Sequence, residues 1–588
     1  MTVAGSVPLV VESARYRLEV APDGLLATLS SPGGTHWASL RTLAALDTVA
    51  APDETLSVAP PRALDGSGRE LEIERRSTIW EHASVRLLCT EETIEVRASV
   101  TGRGTLTDVH LLGGRSLLPR RPTGFLPSGS SFRTLFSSSP GDPARLVRGA
   151  GETAVIGATG DSRPGRGHWF FTPAPLYFAL TTAEGLREPD DEAPEGWLGL
   201  AIAAPVGELD FVQLAYQPAD RAFSLRLDYD GHTSVDGEFA APALVLTPGV
   251  PDPYSGLRRS REDLLARGAA PTRPVRDAPA WWTEPIFCGW GAQSHLAATR
   301  GGLAADHSTQ AAYDGFLDHL EAHGVVPGTI VIDDKWQGAY GTCLPDLEKW
   351  PELPRWIAAR HARGQRVLLW WKAWDAEGLP AELCIRNPDG AAIALDPTHP
   401  DARGALREAV AHMLGGDGLD ADGLKIDFTG STPSGRALSA HGDGWGIALL
   451  HELLAVVHAA AKEVEPEALI ITHTPHPAFV DVSDMLRLND MLRLDDLGPV
   501  PAILPQMRYR AEVTRAACPE LPIDTDDWCA PDLATWRSYL ELKPELGVPA
   551  LYYASHLDAT GESLTRHDYE ALRRMWTAWR NARATDRA

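Results

Sequence analysis

Eight short apolar runs, separated by amphipathic stretches, fill the C-terminal half of the chain and constrain its fold more than any other feature. Short apolar strands that alternate with segments of helical period predict β/α units, and eight units in about 300 residues predict a (β/α)8 TIM-type barrel. The fifth unit leaves room for only a very short helix. The runs are PIFCGWG (285–291), TIVIDDKW (329–336), RVLLWWKAW (366–374), GLKIDF (423–428), ALIITHT (468–474), MLRLND (485–490), LPIDTDDW (521–528) and PALYYAS (549–555).

The N-terminal half has a different pattern. Short alternating segments such as ASVRLLCTEETIEVRASV and FSLRLDYDG are broken by Gly, Pro, Asp and Ser, which is typical of an antiparallel β-sandwich. SGLRRSREDLLARG then reads as a single helix, and AAPTRPVRDAPA as a Pro-rich connector. We therefore expect a multidomain α/β protein with an N-terminal β-sandwich (1–255), a helical and Pro-rich linker (256–280) and a catalytic barrel (281–588).

Charge and composition exclude several classes of partner. The formal net charge of −25 over 588 residues argues against nucleic acid and anionic membranes, whereas a neutral small oligosaccharide or glycoside suits it. The sequence has neither a secretory leader nor a run of roughly 18 apolar residues that could span a membrane. Its six cysteines show no CxxC spacing or disulfide framework. These features predict a cytoplasmic protein with reduced thiols, and they leave a homo-oligomer possible.

Acidic and aromatic side chains end six of the eight predicted strands. In TIM-type barrels the chemistry lies at the carboxyl ends of the strands. Indole faces stack on sugar rings, carboxylates accept hydrogen bonds from neighbouring hydroxyls, and two carboxyl groups can flank a glycosidic bond. One aspartate at a strand end is more often a helix cap or half of an ion pair. A whole ring of such residues favours a site for a carbohydrate.

The motifs TIVIDDKWQ, GLKIDF and MLRLND, on strands two, four and six, resemble those of retaining α-glycosidases. The resemblance is to glycoside hydrolase family 36 and its clan relatives, the α-galactosidase and raffinose-synthase group. That family places a β-supersandwich before its barrel, and its layout covers the whole chain. Its specific motifs are matched only between about 329 and 527.

The resemblance implies roles for individual residues. Asp427 would be the nucleophile and Asp490 the acid/base. Lys425 would hold a sugar hydroxyl and help keep Asp427 ionised. Asp333 and Asp334 would bind the hydroxyls at positions 4 and 6, which makes galactose the first candidate sugar. The remaining predicted substrate-binding side chains are Trp290 and Trp336, as stacking walls, with Lys372, Trp374, His473, Arg487 and Asp527.

A repeated segment leaves the acid/base assignment open. DMLRLND (484–490) is followed at once by DMLRLDD (490–496), and each copy reads as a short strand that ends in acid. We favour the first copy, which ends in Asp490. The second would offer Asp495 or Asp496 instead.

The sequence also departs from the family. Lys335 stands where Gly or Cys is usual, strand five ends in THTPHPAF instead of a Cys-x-Ser-Gly-Gly stretch, and LWWKAWD replaces an acidic LWxEPE. The family usually carries a β-domain after the barrel, whereas this sequence ends with the last predicted helix. These differences weaken the inference of galactose more than that of the mechanism.

Other readings remain open at this point. A different α-linked sugar (a glucoside, an N-acetylgalactosaminide or a pentoside) fits, as does transfer to a sugar hydroxyl instead of water. A non-catalytic carbohydrate-binding protein is the alternative from another class. His473 and His476 have poor spacing for one metal ion, and the sequence has no dinucleotide or phosphate-loop motif, so we expect no metal and no cofactor.

Overall fold

The computed structural model describes residues 7–140, 147–159, 170–273, 278–491 and 503–586, without the side chain of residue 586. It consists of a large, mainly antiparallel sheet followed by a parallel sheet of eight strands surrounded by helices. This is the multidomain α/β architecture that the two sequence patterns predict.

The N-terminal sheet is organised around two long strands, Ile94–Leu111 and Ala222–Ala240, which pair antiparallel from Ser99–Ala240 to Leu111–Leu225. Within the described residues its strands are β1 Leu9–Glu12, β2 Arg17–Val20, β3 Leu26–Ser30, β4 His36–Arg41, β5 Ala45–Thr48, β6 Glu54–Val58, β7 Arg62–Ala63, β8 Glu70–Ser77, β9 His82–Cys89, β10 Ile94–Leu111, β11 Gly114–Ser116, β12 Gly124–Leu126, β13 Ser128–Ser130, β14 Thr134–Ser137, β15 Val147–Gly149, β16 Ala154–Gly157, β17 Tyr177–Thr181, β18 Trp197–Ala203, β19 Gln213–Ala219, β20 Ala222–Ala240 and β21 Ala243–Val250.

Helix α1 (Pro253–Ala266) follows the sheet, and Asp252 caps it by accepting a hydrogen bond from the backbone N–H of Ser255. The barrel strands are β22 Ile286–Cys288, β23 Thr329–Ile332, β24 Arg366–Lys372, β27 Gly423–Asp427, β28 Leu469–Thr472, β29 Met485–Arg487, β30 Ile523–Asp524 and β31 Ala550–Leu551. A hairpin of β25 (Cys384–Arg386) and β26 (Ala392–Leu395) is inserted after β24.

The parallel strands form a ring. Neighbours pair in chain order from β22 to β30, β31 pairs with β22, and a parallel bridge between Asp524 and Val548 joins the last two units. The described helices are α2 Trp290–Arg300, α3 Gln310–Ala322, α4 Leu353–His361, α5 Pro400–Leu414, α6 Gly446–Val464, α7 Ile503–Ala517, α8 Leu533–Leu546 and α9 Arg566–Asp586. After β28 there is only the short 3-10 helix Pro477–Phe479, as the short spacing predicts.

Strand alternation sends one set of side chains into the barrel and the other against the helices. Val331, Leu368, Ile471 and Met485 form one buried cluster, while their sequence neighbours join the main core. Successive side chains of a strand point to opposite faces, so later residues of the same parity also point inward. This rule places Asp333, Trp370, Lys425, Asp427 and Arg487 on the interior side of their strands.

Several strands are shorter than the predicted runs, and the first of them changes the setting of a predicted site residue. PIFCGWG was expected to be a strand through residue 291, but β22 ends at Cys288 and Trp290 is the first residue of α2. Glycine fits at positions 289 and 291 because a Cβ at 289 would meet the side chain of Tyr313, and a Cβ at 291 would meet the backbone of Tyr552. Trp290 is therefore held by a helix N-terminus at the barrel mouth.

All six cysteines are unpaired thiols. In the part of the chain that the structure describes, no helix is long and apolar enough to cross a bilayer.

Candidate active site

Asp427, the last residue of β27, lies at the carboxyl end of the barrel with its side chain 15% exposed. Its Oδ1 accepts hydrogen bonds from Arg487 Nη2 at 2.9 Å and from the backbone N–H of Phe428 at 3.0 Å. Its Oδ2 accepts one from Trp370 Nε1 at 3.2 Å. Burial disfavours the carboxylate, but the charges of Arg487 and Lys425 outweigh it and hold the pKa of Asp427 well below its usual range.

Asp490 follows β29, which is formed by the first copy of the repeat. Its carboxyl lies 3.8 Å from Arg487 Nη1 and its side chain is 12% exposed. Burial and the neighbouring negative charge of Asp526 raise the pKa of Asp490 to about 8. Asp427 and Asp490 thus contact one guanidinium group while favouring opposite protonation states. Asp495 and Asp496, the alternative acids of the second copy, lie outside the described residues.

The backbone is strained where these carboxyl groups are presented. Phe428, Asn489 and Asp526 all have left-handed conformations, with φ of 59°, 68° and 52°. One directly follows Asp427 and another directly precedes Asp490. Non-glycine residues adopt this conformation at an energetic cost and cluster at functional sites, which supports a functional role for this end of the barrel.

Asp333 and Asp334, the two aspartates that follow β23, have different surroundings. Asp333 is buried and accepts from Lys425 Nζ at 2.7 Å and Cys288 Sγ at 2.9 Å, so it forms an internal ion pair. Asp334 is half-buried and accepts from Tyr340 Oη at 2.7 Å, and burial raises its pKa to about 6. Asp333 and Lys425 thus form a buried ion pair, and their predicted contacts with a sugar stay a prediction. Asp334 is the member available to a ligand.

Two of the predicted aromatic residues do not line the site. Trp336 is 0% exposed and donates to the carbonyl of Trp370 at 2.8 Å, while Trp374 is 2% exposed and donates to the carbonyl of Thr429 at 3.3 Å. Their indoles have no free face for a sugar. Both residues lie beyond the regular part of a strand, where alternation no longer predicts side-chain direction.

Trp290 remains as an aromatic wall and has a partner that the sequence did not single out. It is half-buried and packs edge-to-face against half-buried Trp528, with ring centroids 5.8 Å apart. Trp528 Nε1 donates to Asp558 Oδ2 at 3.0 Å, which fixes the indole. These two rings form the exposed aromatic edge of the barrel mouth.

The remaining predicted residues surround the two carboxyl groups. Lys372 is half-buried, pairs with Asp375 at 2.7 Å and lies 4.3 Å from the ring centre of Tyr340. His473 Nδ1 lies 2.6 Å from Asn489 Nδ2 and 3.4 Å from Arg487 Nη2. Burial and the charge of Arg487 lower the pKa of His473 to about 3. The imidazole is therefore neutral, and its Nδ1 lies in contact with the guanidinium of Arg487.

Asp527 does not face the site. It is fully buried and accepts from Lys543 Nζ at 2.6 Å and from Trp536 Nε1 at 3.0 Å, so its predicted role in binding is corrected to an internal ion pair with α8. Its neighbour Asp526 contacts Arg487 Nη1 at 3.1 Å. The sequence Thr525-Asp526-Asp527 contains two adjacent carboxylates. The backbone turn at Asp526 determines which of them points into the barrel.

The N-terminal half reaches the site through Phe170 and Thr172. Asn489 Nδ2 donates to the carbonyl of Phe170 at 3.3 Å, and the N–H of Thr172 donates to the carbonyl of His473 at 3.2 Å. The hydroxyl groups of Thr172 and Thr429 are also hydrogen-bonded. No local sequence pattern predicts these contacts, since they join segments more than 250 residues apart.

The described residues contain no group of three or more His, Cys, Asp or Glu side chains arranged to hold a metal ion. The site does contain two carboxyl groups, Asp427 and Asp490, that contact one guanidinium group and whose pKa values are shifted in opposite directions. Such a pair can act as nucleophile and acid/base in glycoside chemistry.

The sequence matches no family model and no curated protein. Solved structures are similar at low identity. A glycoside hydrolase family 31 sulfoquinovosidase from E. rectale has a TM-score of 0.58 and 9% identity over 97% of this chain and 82% of that one. An α-galactosidase from Lactobacillus brevis has a TM-score of 0.50 and 12% identity over 98% and 83%.

A cycloalternan-forming enzyme from Listeria monocytogenes has a TM-score of 0.53 and 11% identity, over 97% of this chain and 58% of that one. The chain therefore has a glycoside hydrolase fold. The similar structures include a family 31 enzyme and an α-galactosidase, so the structural likeness does not single out glycoside hydrolase family 36.

Proposed function

We propose that the protein is a retaining glycoside hydrolase that removes a terminal α-linked sugar, with an α-galactoside as the first candidate substrate. The observation that carries this proposal is the arrangement of Asp427 and Asp490 on one guanidinium group, with the first held ionised and the second held protonated. Retaining glycosidases need this pair of states in the free enzyme.

In the first step, Asp490 donates its proton to the glycosidic oxygen while Asp427 attacks the anomeric carbon from the opposite face. The C–O bond to the leaving group breaks, and an ester forms between the sugar and Asp427. Oδ1 of Asp427 accepts from two donors, the guanidinium and a backbone amide, whereas Oδ2 accepts only from Trp370. We therefore assign the attack to Oδ2.

In the second step, the ionised Asp490 takes a proton from water as the water oxygen attacks the anomeric carbon. The ester to Asp427 breaks, the sugar leaves with its original configuration, and both carboxyl groups return to their starting states. A sugar hydroxyl that enters instead of water would give transfer by the same chemistry.

Recognition of the sugar is assigned to Asp334, with Tyr340 and Lys372 beside it. Tyr340 fixes Oδ1 of Asp334, and Lys372 lies against the tyrosine ring. A carboxylate held in this way can accept hydrogen bonds from neighbouring sugar hydroxyls. The Lactobacillus brevis neighbour is an α-galactosidase, which is consistent with testing galactosides first.

The test is a panel of aryl α-glycosides with wild type and Asp427→Asn side by side. It includes the galactoside, glucoside, N-acetylgalactosaminide and sulfoquinovoside, together with β-L-arabinopyranoside. We expect wild type alone to release the aryl alcohol from the galactoside. Cleavage of another member by wild type alone would keep the mechanism and replace the sugar. Equal release by both proteins would refute the nucleophile.

A further inference from the structure

Arg487 is a buried cation shared by three carboxyl groups. Its Nη2 donates to Asp427 at 2.9 Å, its Nη1 donates to Asp526 at 3.1 Å, and the same Nη1 lies 3.8 Å from Asp490. The guanidinium is 2% exposed, so water screens these interactions poorly. Its orientation is therefore set by the carboxylates that bind it most closely, Asp427 and Asp526.

Asp526 is more fully fixed than either of the other two. Its Oδ1 accepts from the backbone N–H groups of Asp527 at 2.7 Å and Trp528 at 3.0 Å. Its Oδ2 accepts from Arg487 and from Tyr552 Oη at 3.0 Å. Four donors converge on one carboxylate, which suits the ionised form because an ionised carboxylate only accepts. With 0% exposure and every oxygen occupied, Asp526 cannot bind a substrate.

The local charge balance then decides where a proton resides. Lys425, a nearby cation, is paired with Asp333 at 2.7 Å, and Arg510 Nη1 donates to backbone carbonyls, among them that of Asp490. Arg487 is the cation that contacts the carboxyl groups of Asp427, Asp490 and Asp526, and three ionised carboxylates around this one buried guanidinium would repel one another. Protonation of one carboxyl group relieves this repulsion. Asp490 is the most distant of the three from the guanidinium, so it keeps the proton.

We propose that Asp526 is a positioning residue that orients Arg487 toward Asp427 and, through its fixed negative charge, keeps the proton on Asp490 in the resting protein. The assignment of Asp490 as acid/base rests on the proposed function. The charge relation between Asp526 and Asp490 is a property of the folded protein and can be measured without turnover.

Several other charged or titratable groups face this pair and belong in the interpretation. From β27 these are Asp427 and Lys425, from β29 Arg487, from the segment after β30 Cys529, and from α7 Arg510, whose Nη1 donates to the carbonyl of Asp490 at 2.6 Å. Asp524 lies on the far side of Asp526 and accepts from its backbone N–H at 2.9 Å. Arg487, Arg510, Asp524 and Cys529 also interact with the charge of Asp526, so the Asp490→Asn variant is needed to assign a shifted band to Asp490.

The direct test is pH-difference infrared spectroscopy of the full chain, which follows the C=O stretch of protonated carboxyl groups. Wild type, Asp490→Asn, Asp526→Asn and Asp558→Asn are compared. We expect a band in wild type that disappears near pH 8 and is missing in Asp490→Asn. In Asp526→Asn the midpoint should fall by about one to two pH units, because one negative charge beside Asp490 is gone.

Asp558→Asn is the matched control, since Asp558 is a carboxylate of the same barrel mouth that binds Trp528 instead of Arg487. Its midpoint should equal that of wild type. An unshifted midpoint in Asp526→Asn would overturn the proposal. If Asp526→Asn does not fold, Asp490→Asn still decides the matter: a band with the wild-type midpoint that survives in Asp490→Asn would place the proton elsewhere and overturn the proposal.

Where a glycoside is cleaved, the pH profile of kcat/KM adds a second readout. The alkaline limb, set by loss of the proton from the acid/base, should move to lower pH in Asp526→Asn by the same amount as the infrared midpoint. A loss of rate with an unmoved alkaline limb would indicate a purely structural role for Asp526. If no glycoside is cleaved while the infrared shift is found, the proposed function fails and the charge relation stands.

Discussion

Asp427 and Asp490 have the same side chain and share a contact with Arg487, yet their surroundings favour opposite charges. Asp427 receives a backbone amide, an indole N–H and the closer guanidinium nitrogen. Asp490 is more than 3.5 Å from the guanidinium and feels the charge of Asp526. Burial, the charge of Asp526 and a guanidinium nitrogen about 1 Å farther away together favour the protonated form of Asp490, whereas the donors around Asp427 favour its ionised form.

The raised pKa of Asp490 predicts a pH-dependent cost to stability. In the unfolded chain this carboxyl titrates near its ordinary value of about 3.9. Between that pH and about 8 the unfolded state has released the proton while the folded state keeps it, so rising pH favours unfolding. Asp490→Asn removes this titration. We expect its Tm to exceed that of wild type by an amount that grows from pH 5 to pH 8.

Thermal unfolding by circular dichroism across that range measures the effect. A Tm difference that is constant from pH 5 to pH 8 would contradict the raised pKa. Asp375→Asn, which removes the half-buried partner of Lys372, provides a control whose Tm difference should not grow in this window.

At this scale, period-2 alternation within regular strands accounts for the inward direction of Lys425, Asp427 and Arg487, whereas it does not predict the direction of residues just beyond the strands. Trp336 and Trp374 lie past the ends of β23 and β24, where the chain turns, and Trp374 has a φ of 71°. Their burial depends on that local turn, which no periodicity encodes.

Helix α6 begins in close contact with the segment that precedes β19 of the N-terminal sheet. Gly446 is the first residue of α6 and has a φ of 58°. A Cβ there would lie 2.2 Å from the carbonyl oxygen of Phe211, which itself accepts a hydrogen bond from the N–H of Ile447. This contact positions α6, the helix that follows β27, and β27 ends in Asp427.

Gly446→Ala should destabilise the protein by about 2 kcal/mol or more, because the substitution adds both a backbone clash and a left-handed alanine. Gly404→Ala in α5 is the matched control. A Cβ at Gly404 meets nothing within 4 Å, so the gain in helix propensity should leave stability equal or raise it by about 0.5–1 kcal/mol. Chemical denaturation compares them, and equal stability of the two variants would contradict the assigned contact.

The aromatic wall of Trp290 and Trp528 should contribute to binding of the leaving-group side of a substrate. We expect Trp528→Ala to raise KM for aryl glycosides roughly tenfold with a smaller change in kcat, and Trp528→Phe to restore most of the loss because a ring face remains. Steady-state kinetics measure both constants. A fall in kcat with KM unchanged would show that Trp528 acts on the chemical step instead.

The order of apolar runs and amphipathic stretches predicted all eight barrel strands and the very short fifth helix. It did not predict the lengths of the strands. β30 and β31 have only two residues each, although seven or eight were expected in each run. Beyond these strands, the backbone N–H groups of Asp527 and Trp528 bind Oδ1 of Asp526, and the N–H of Tyr552 binds Oδ1 of Asp527. Such polar substitutes for strand pairing depend on tertiary neighbours and are invisible to local sequence patterns.

Over the whole molecule, the sheet and the barrel share one hydrophobic core. The main buried cluster runs from strands such as β18 through Phe211 to Ile447 and Leu450 of α6. We expect the fragment 281–588 to be aggregated or only partly structured when expressed alone, because it would expose this apolar surface. Size-exclusion chromatography and amide hydrogen exchange test this, and a monomeric, well-protected fragment would contradict it.

Trapping a covalent bond between Asp427 and a sugar tests the proposed mechanism most directly. A fluorinated glycosyl fluoride of the sugar that the panel identifies, or of galactose first, is incubated with the protein, and the digest is analysed by mass spectrometry. We expect one added sugar on the peptide that contains Asp427, and none in Asp427→Asn. A sugar attached to another residue, or turnover with inversion of configuration and no adduct, would contradict it.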